Sequence, residues 1–148
     1  MSDEPRRSPD GSDLTLLGDD HVRVYRETNG ETGYLWNGSP TLLLTMTGRK
    51  SGQKRTIPII FTPYKGSYVI IASKGGSPTH PKWYLNLESE PRAEVQVKGD
   101  IIPVVARTAQ SPEREEIWAE CIKNWPNFDL YQSRTERLIP VVVLDPVK

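Results

Sequence analysis

From Thr41 onward the chain is cut by glycine turns into short β-rich runs, and a chain divided in this way has to pair its strands locally. Thr41–Thr47 (TLLLTMT) leads into the two-glycine turn Gly48-Arg49-Lys50-Ser51-Gly52, and Arg55–Phe61 (RTIPIIF) leads out of it. The two runs are expected to form a hairpin. Pro58 has no N–H to give to a ladder, which assigns its strand to an edge or a bulge. After Lys65-Gly66, Tyr68–Ser73 (YVIIAS) is nearly continuous in apolar residues, the pattern of a strand covered on both faces. Arg92–Lys98 alternates, and Ile101–Ala106 returns beyond Gly99-Asp100 as a second hairpin. Leu138–Leu144 (LIPVVVL) is the sixth strand.

Helical signals are fewer. Asp19–Asn29 opens with acids and closes at Gly30, which fits a short helix, with an alternating strand over His21–Tyr25 as the other reading. Gly33–Pro40 reads as loop. Pro81 at the first helical position begins a short helix through KWYLNLESE, with Trp83 and Leu87 one turn apart. The clearest helix has Ser111 as cap, Pro112 at its first position and Glu113, Glu115 and Glu116 at its positive end. Its apolar stripe is Ile117, Trp118, Cys121, Ile122 and Trp125, and Pro126 ends it. A short helical or turn segment through Phe128 and Tyr131 follows. Six strands joined mostly by hairpins, with two or three helices, make an α+β chain and not an alternating βαβ one. A small antiparallel barrel with its helices outside is the simplest closure, because closure removes exposed edges.

The 148 residues suit one domain: a polar, disordered segment over 1–18 and a folded unit over 19–148. The first residues, MSDEPRRSPDGSD, lack the apolar stretch of a signal peptide, and no apolar run approaches a membrane span. The lone Cys121 cannot form an internal disulfide and reads as a packed thiol in a reducing, cytoplasmic protein. His21 and His80 have no partner at ligand spacing, so no metal site is expected.

Charge is more informative by segment than in total. The 19 basic and 19 acidic residues cancel, which argues against a nucleic-acid partner. Residues 1–31, however, carry four basic and eight acidic side chains, residues 32–87 carry seven basic and none acidic, and residues 88–148 carry eight basic and eleven acidic. The middle of the chain is suited to meet an anion and cannot supply a carboxylate pair for glycosidase-type acid–base work. Within it, GRKSGQKR places Arg49, Lys50, Lys54 and Arg55 around a glycine turn, where backbone amides can also face an anion. A solvated hairpin tip fits the same residues, and the motif is not a Walker loop. Ala72-Ser73-Lys74-Gly75-Gly76 ends a buried strand in a hydroxyl, a cation and two glycines, either a plain strand exit or a place for close backbone approach. Trp83, Tyr84, Phe128 and Tyr131 suit either core packing or a flat conjugated ligand.

Four strings together, HVRVYRETNG, TLLLTMTGRKSGQKRTIPI, VIIASKGGSPTHPKWYLNL and LYQSRTERLIPVVVLDP, resemble the deazaflavin-dependent nitroreductase family of actinobacteria, from about His21 to the C-terminus. The resemblance implies a split β-barrel of the flavin-reductase type that binds coenzyme F420, a 5-deazaflavin with a phosphate and an oligoglutamate tail. It implies that Arg49, Lys50, Ser51, Arg55 and Thr56 hold the phosphate and tail, and that Pro58 and Ile60 line the ring's approach. Ala72, Ser73 and Lys74 would run beside the deazaflavin, with Ser73 orienting the ring. Trp83, Tyr84 and Asn86 would pack against the coenzyme, and Tyr131 would face ring and substrate. Ile60, Phe128 and Arg134 stand where prodrug-activating members carry further aromatics, and Lys82 where an apolar residue is common. Members bound to membranes have a basic amphipathic N-terminus, which this acidic one is not, so no stable membrane anchor is expected.

The expected activity is hydride transfer from the reduced coenzyme to a small electron-poor acceptor, most plausibly a quinone, with activated enes and nitroaromatics as other acceptors. Ser73 and Tyr131 are the expected catalytic residues, Tyr131 as a proton or hydrogen-bond donor to the acceptor oxygen. An FMN-dependent oxidoreductase, a non-catalytic deazaflavin carrier and a weak single-strand nucleic-acid binder are the alternatives, and a homodimer is compatible with the fold.

Overall fold

The computed structural model describes residues 18–36 and 38–147, so the segment expected to be disordered lies outside the described residues up to position 17. Helix α1 (Gly18–Thr28) is followed by strands β1 (Leu35–Trp36), β2 (Ser39–Thr47), β3 (Lys54–Ile60), β4 (Thr62–Tyr64) and β5 (Ser67–Ile71). Then come α2 (Lys82–Ser89), β6 (Arg92–Val97), β7 (Asp100–Thr108), α3 (Glu113–Asn124), α4 (Asn127–Ser133) and β8 (Val141–Pro146). The eight strands form one antiparallel sheet in the order β1-β2-β6-β7-β8-β5-β4, with β3 paired to β2. Strand β3 is paired to β2 near one end of this path and β4 is its other end, yet only Phe61 separates them in sequence. The sheet must therefore curl round to bring these strands together, as in the expected split barrel, and β3 and β5 are not paired with each other.

Residues alternating along β5 and β8 go to two different cores. Ile70, Ala72, Val142 and Leu144 point into the barrel, where α2 contributes Tyr84 and Leu87. Val69, Ile71, Val141 and Val143 point outward under Ile117 and Cys121 of α3 and Phe128 of α4. This accounts for the continuous apolar runs of both strands. Each fully buried aliphatic side chain contributes roughly 1.5–3 kcal/mol. Helix α1 lies across the sheet through Val22 and Tyr25 against Leu43. The Tyr25 hydroxyl donates to the Thr41 carbonyl (3.0 Å) and accepts from the Lys98 N–H (2.7 Å), and burial pushes this phenol up to about 12.

The helix expected over residues 19–29 is present as α1, Gly18–Thr28, in place of the alternative strand. Other expectations need correction. There are eight strands and four helices among the described residues, because β1 and β4 are too short to show a period. The last strand starts at Val141, not Leu138: the Ile139 N–H donates to the Gln132 side chain (2.9 Å), Pro140 has no N–H, and Leu138 is exposed. Ser111 does not cap α3. Its hydroxyl donates to the Glu115 carboxylate, holding that carboxyl below the usual range, and the helix begins at Glu113. Pro58 does lie on an edge strand, since β3 pairs with β2 alone. No described helix is long and apolar enough to cross a membrane.

Candidate functional site

The split in the barrel opens into two adjoining cavities. The first, of about 480 Å³, lies between Ile57–Ile60 of β3 and the segment leaving β5 (Ile71, Ser73, Lys74, Gly75) and is walled by Trp83, Trp125, Phe128 and Tyr131. The second, of about 620 Å³, lies between the β2–β3 turn (Gly48, Arg49, Lys50, Ser51), Arg55, and the start of α2 (Pro81, Lys82, Trp83, Asn86). Ile57, Lys74 and Trp83 line both, so the cavities form one slot. The first is mostly apolar. Five cations, Arg49, Lys50, Arg55, Lys74 and Lys82, and no carboxylate line the second. All five come from the acid-free stretch of sequence.

The β2–β3 turn is rigid by its own hydrogen bonds. Gly52 N–H donates to Gly48 O (2.8 Å), Gly48 N–H to Gln53 O (2.8 Å) and Gln53 N–H to Ser51 Oγ (3.1 Å). A side chain at position 48 would meet Ser51 Oγ at 2.9 Å, which explains the first glycine. Asn86 Oδ1 accepts both the backbone N–H of Arg49 (3.1 Å) and its guanidinium (3.2 Å), tying the turn to α2. The positive end of α2 also starts beside this cavity, and charge-assisted donors of this kind favour phosphate and carboxylate groups.

The exit from β5 is a left-handed turn. Lys74, Gly75 and Gly76 have φ of 45°, 64° and 85°. The two glycines have different reasons to be there. A Cβ on Gly76 would stand 2.5 Å from the Tyr131 carbonyl oxygen, so this glycine lets α4 pack against the turn, whereas a Cβ on Gly75 would meet nothing within 4 Å. Ser73 lines the apolar cavity, and its hydroxyl does not cap the turn that follows. The Lys74 ammonium donates to Thr79 Oγ1 (3.2 Å). Tyr131 projects from α4 into the apolar cavity, and its hydroxyl accepts a long hydrogen bond from Trp125 Nε1 (3.4 Å), which leaves the phenolic proton free to be donated.

The structure thus brings Arg49, Lys50, Ser51, Arg55, Lys74, Trp83 and Asn86 around the cationic cavity, and Pro58, Ile60, Ser73, Lys74, Trp83 and Tyr131 around the apolar one. Three expected residues sit elsewhere. Tyr84 is in the barrel core with its hydroxyl on Thr108 Oγ1 (2.9 Å), and Ala72 is fully buried. Thr56 faces the outside of β3, bonded to Thr45 Oγ1 (2.8 Å) and to the Arg26 guanidinium (3.0 Å). The sequence reading left out Ile57 and Ile59, which wall the apolar cavity, although their β-alternation with Pro58 and Ile60 was visible. It also left out Arg137, whose guanidinium partners are all distant in sequence.

A family model described as F420H(2)-dependent quinone reductase matches residues 19–146. An F420H(2)-dependent quinone reductase of Mycobacterium tuberculosis is 41% identical over 128 residues, covering 84% of this chain and 86% of that one. A solved F420-H2 dependent reductase, FDR-A, is 40% identical over 72% of this chain and 94% of its own, with a TM-score of 0.67. Another solved chain, described as a domain-swapped dimer, is 37% identical with a TM-score of 0.70, covering 84% of this chain and 92% of that one. The family match over nearly the whole folded unit, together with these identities and the shared fold, places the chain in the F420H(2)-dependent quinone reductase family.

Proposed function

We propose that this protein is an oxidoreductase that transfers a hydride from reduced coenzyme F420 to a quinone. The observation that carries this reading is the slot itself, an apolar chamber continuous with an acid-free chamber lined by five cations. A flat deazaflavin and its anionic phosphate and oligoglutamate tail ask for those two environments in that order. When bound, the reduced coenzyme supplies the hydride, as cofactors do for such chemistry.

The chain's own residues bind, orient and exclude water. Arg49, Lys50, Arg55 and Lys74 take the anionic groups, with Ser51 as a further donor. Ile57, Pro58, Ile60 and Trp83 provide apolar walls for the ring, and a dry wall strengthens the electrostatics inside it. The Ser73 hydroxyl orients the ring by a hydrogen bond, and Tyr131 donates its phenolic proton toward the acceptor oxygen, replenished from solvent. Fixed geometry, not a charged acid or base, is what the protein contributes here. We also place the protein in the cytoplasm, where its one thiol stays reduced, and infer a homodimer by likeness to the swapped-dimer relative.

The test is to mix the protein with chemically reduced coenzyme F420 and a panel of quinones, enes and nitroaromatics, following the return of the oxidised deazaflavin absorbance. Return with a quinone is expected. Tight binding with no return for any acceptor would replace the enzyme with a carrier.

A further inference from the structure

We infer that Arg137 is the positioning residue of the slot, holding the left-handed turn that presents Ser73 and Lys74 to the two chambers, in a lock that requires a neutral His80. The inference rests on the proposed function only for what the turn is for; the lock itself is a property of the chain.

The turn is an unfavourable piece of backbone. Three successive residues have positive φ, and Lys74 is not a glycine, so its conformation persists only if the surroundings over-determine it. Its own hydrogen bonds are two, from Gly76 N–H to Ser73 O (2.9 Å) and from Ser77 N–H to Lys74 O (3.1 Å). Arginines from the segment between α4 and β8 hold carbonyls of the turn and its flanks. Arg137 donates to the carbonyls of Ala72 (3.1 Å), Ser73 (2.8 Å) and Ser77 (2.8 Å), and Arg134 donates to that of Gly75 (3.3 Å). A guanidinium can do this because it has five donors in a fixed planar fork, which an ammonium lacks. Arg137 lines neither chamber, so its effect on the site is through the turn.

The same guanidinium nitrogen that donates to Ala72 O also lies 3.0 Å from His80 Nδ1. A guanidinium cannot accept, so Nδ1 must carry the lone pair and the imidazole must be neutral there. Protonating His80 puts a second donor and a second positive charge against Arg137. The charged and titratable groups facing His80 are Arg137, from the segment before β8, and Tyr84 of α2, whose ring lies tilted against the imidazole with centroids 5.0 Å apart. Lys74 and Lys82 lie on its own segment, and among the described residues no carboxylate is bonded to it. The turn is therefore expected to loosen when acidification protonates this imidazole.

Two readouts test this. The first is hydrogen exchange of the Lys74–Ser77 amides in coenzyme-free protein, expressed as protection so that the intrinsic pH effect is removed. Wild type should lose protection there on acidification. Arg137→Gln should lose on the order of tenfold at neutral pH and little more on acidification, with protection in β5 and β8 retained, and Arg137→Lys should recover part of the loss. His80→Asn, whose side-chain oxygen can accept from Arg137, should keep the protection and abolish its acid dependence. The second readout is coenzyme F420 affinity by fluorescence, expected to weaken in Arg137→Gln in step with the turn. Unchanged protection of the turn in Arg137→Gln would overturn the inference, as would a loss spread evenly over the sheet. If Arg137→Gln does not fold, an acid response in His80→Asn equal to wild type overturns the pH lock by itself. Failure of wild-type protein to bind the coenzyme, with the exchange pattern as expected, would instead count against the proposed function.

Discussion

The two chambers of the slot are built in opposite ways. The apolar chamber is an extension of the core: its walls are β3, the end of β5 and α4, and Phe128, which faces it, also packs in the cluster under α3. The cationic chamber is a surface hairpin turn resting on α2, with Arg49, Lys50 and Arg55 exposed and the turn tied to α2 through the Arg49–Asn86 hydrogen bonds. A change in the first chamber should therefore disturb the fold as well as the ligand, whereas a change in the second should cost affinity alone. Trp83 and Lys74 belong to both and mark where one regime passes into the other.

The largest expected effect is on the apolar side. Gly76→Ala forces a Cβ toward the Tyr131 carbonyl oxygen at positive φ and is expected to cost roughly 3 kcal/mol or more in urea unfolding, displacing α4. Gly75→Ala, also at positive φ but in open space, should cost only about 1 kcal/mol. Equal losses at the two glycines would break the distinction between them. On the cationic side, the pair Arg49→Ala and Lys50→Ala should weaken coenzyme F420 binding by about a hundredfold at low salt with no change in the urea midpoint. A destabilised fold in that variant would mean that the turn is not the independent module described.

A smaller effect separates chemistry from binding within the apolar chamber. Tyr131→Phe keeps the ring and removes the phenolic proton, so kcat should fall roughly tenfold or more while the coenzyme dissociation constant stays within about twofold. The smallest effect is remote from both chambers. Burial tends to raise the Asp145 carboxyl, but hydrogen bonds from Ser67 (2.6 Å) and Arg107 (2.8 Å) outweigh it and hold it below its ordinary value of 3.8. A depressed folded-state value means stability that is present above 3.8 and lost as pH falls below it. Asp145→Asn should flatten that acid limb and, after solvent screening of a side chain 42% exposed, cost no more than about 1 kcal/mol at neutral pH. Coenzyme affinity should not move.

The cationic chamber was legible in the sequence because much of it is local, one turn with its flanks, and because all five of its cations lie in a stretch, residues 32–87, whose charge imbalance survives any folding. The β2–β3 hairpin, the edge position of Pro58 and the stripe of α3 were legible for the same reason. The apolar chamber was read less completely because it depends on which faces meet. Trp83 and Tyr84 are neighbours on α2 about 100° apart, and only packing decides that Trp83 faces the slot while Tyr84 enters the core. Gly75 and Gly76 look alike in the string ASKGG, and only the approach of α4 distinguishes them. Arg137 reads as one more charge until the carbonyls of Ala72, Ser73 and Ser77 are seen around it.

The division of labour between the chambers is tested most directly by comparing intact coenzyme F420 with its tail-free deazaflavin riboside as ligands for the wild-type protein over a salt series. The two-chamber slot predicts that the riboside binds more weakly, with an affinity nearly independent of salt, while the intact coenzyme binds tightly and weakens steeply as salt is raised. Equal affinities with the same flat salt response would contradict it.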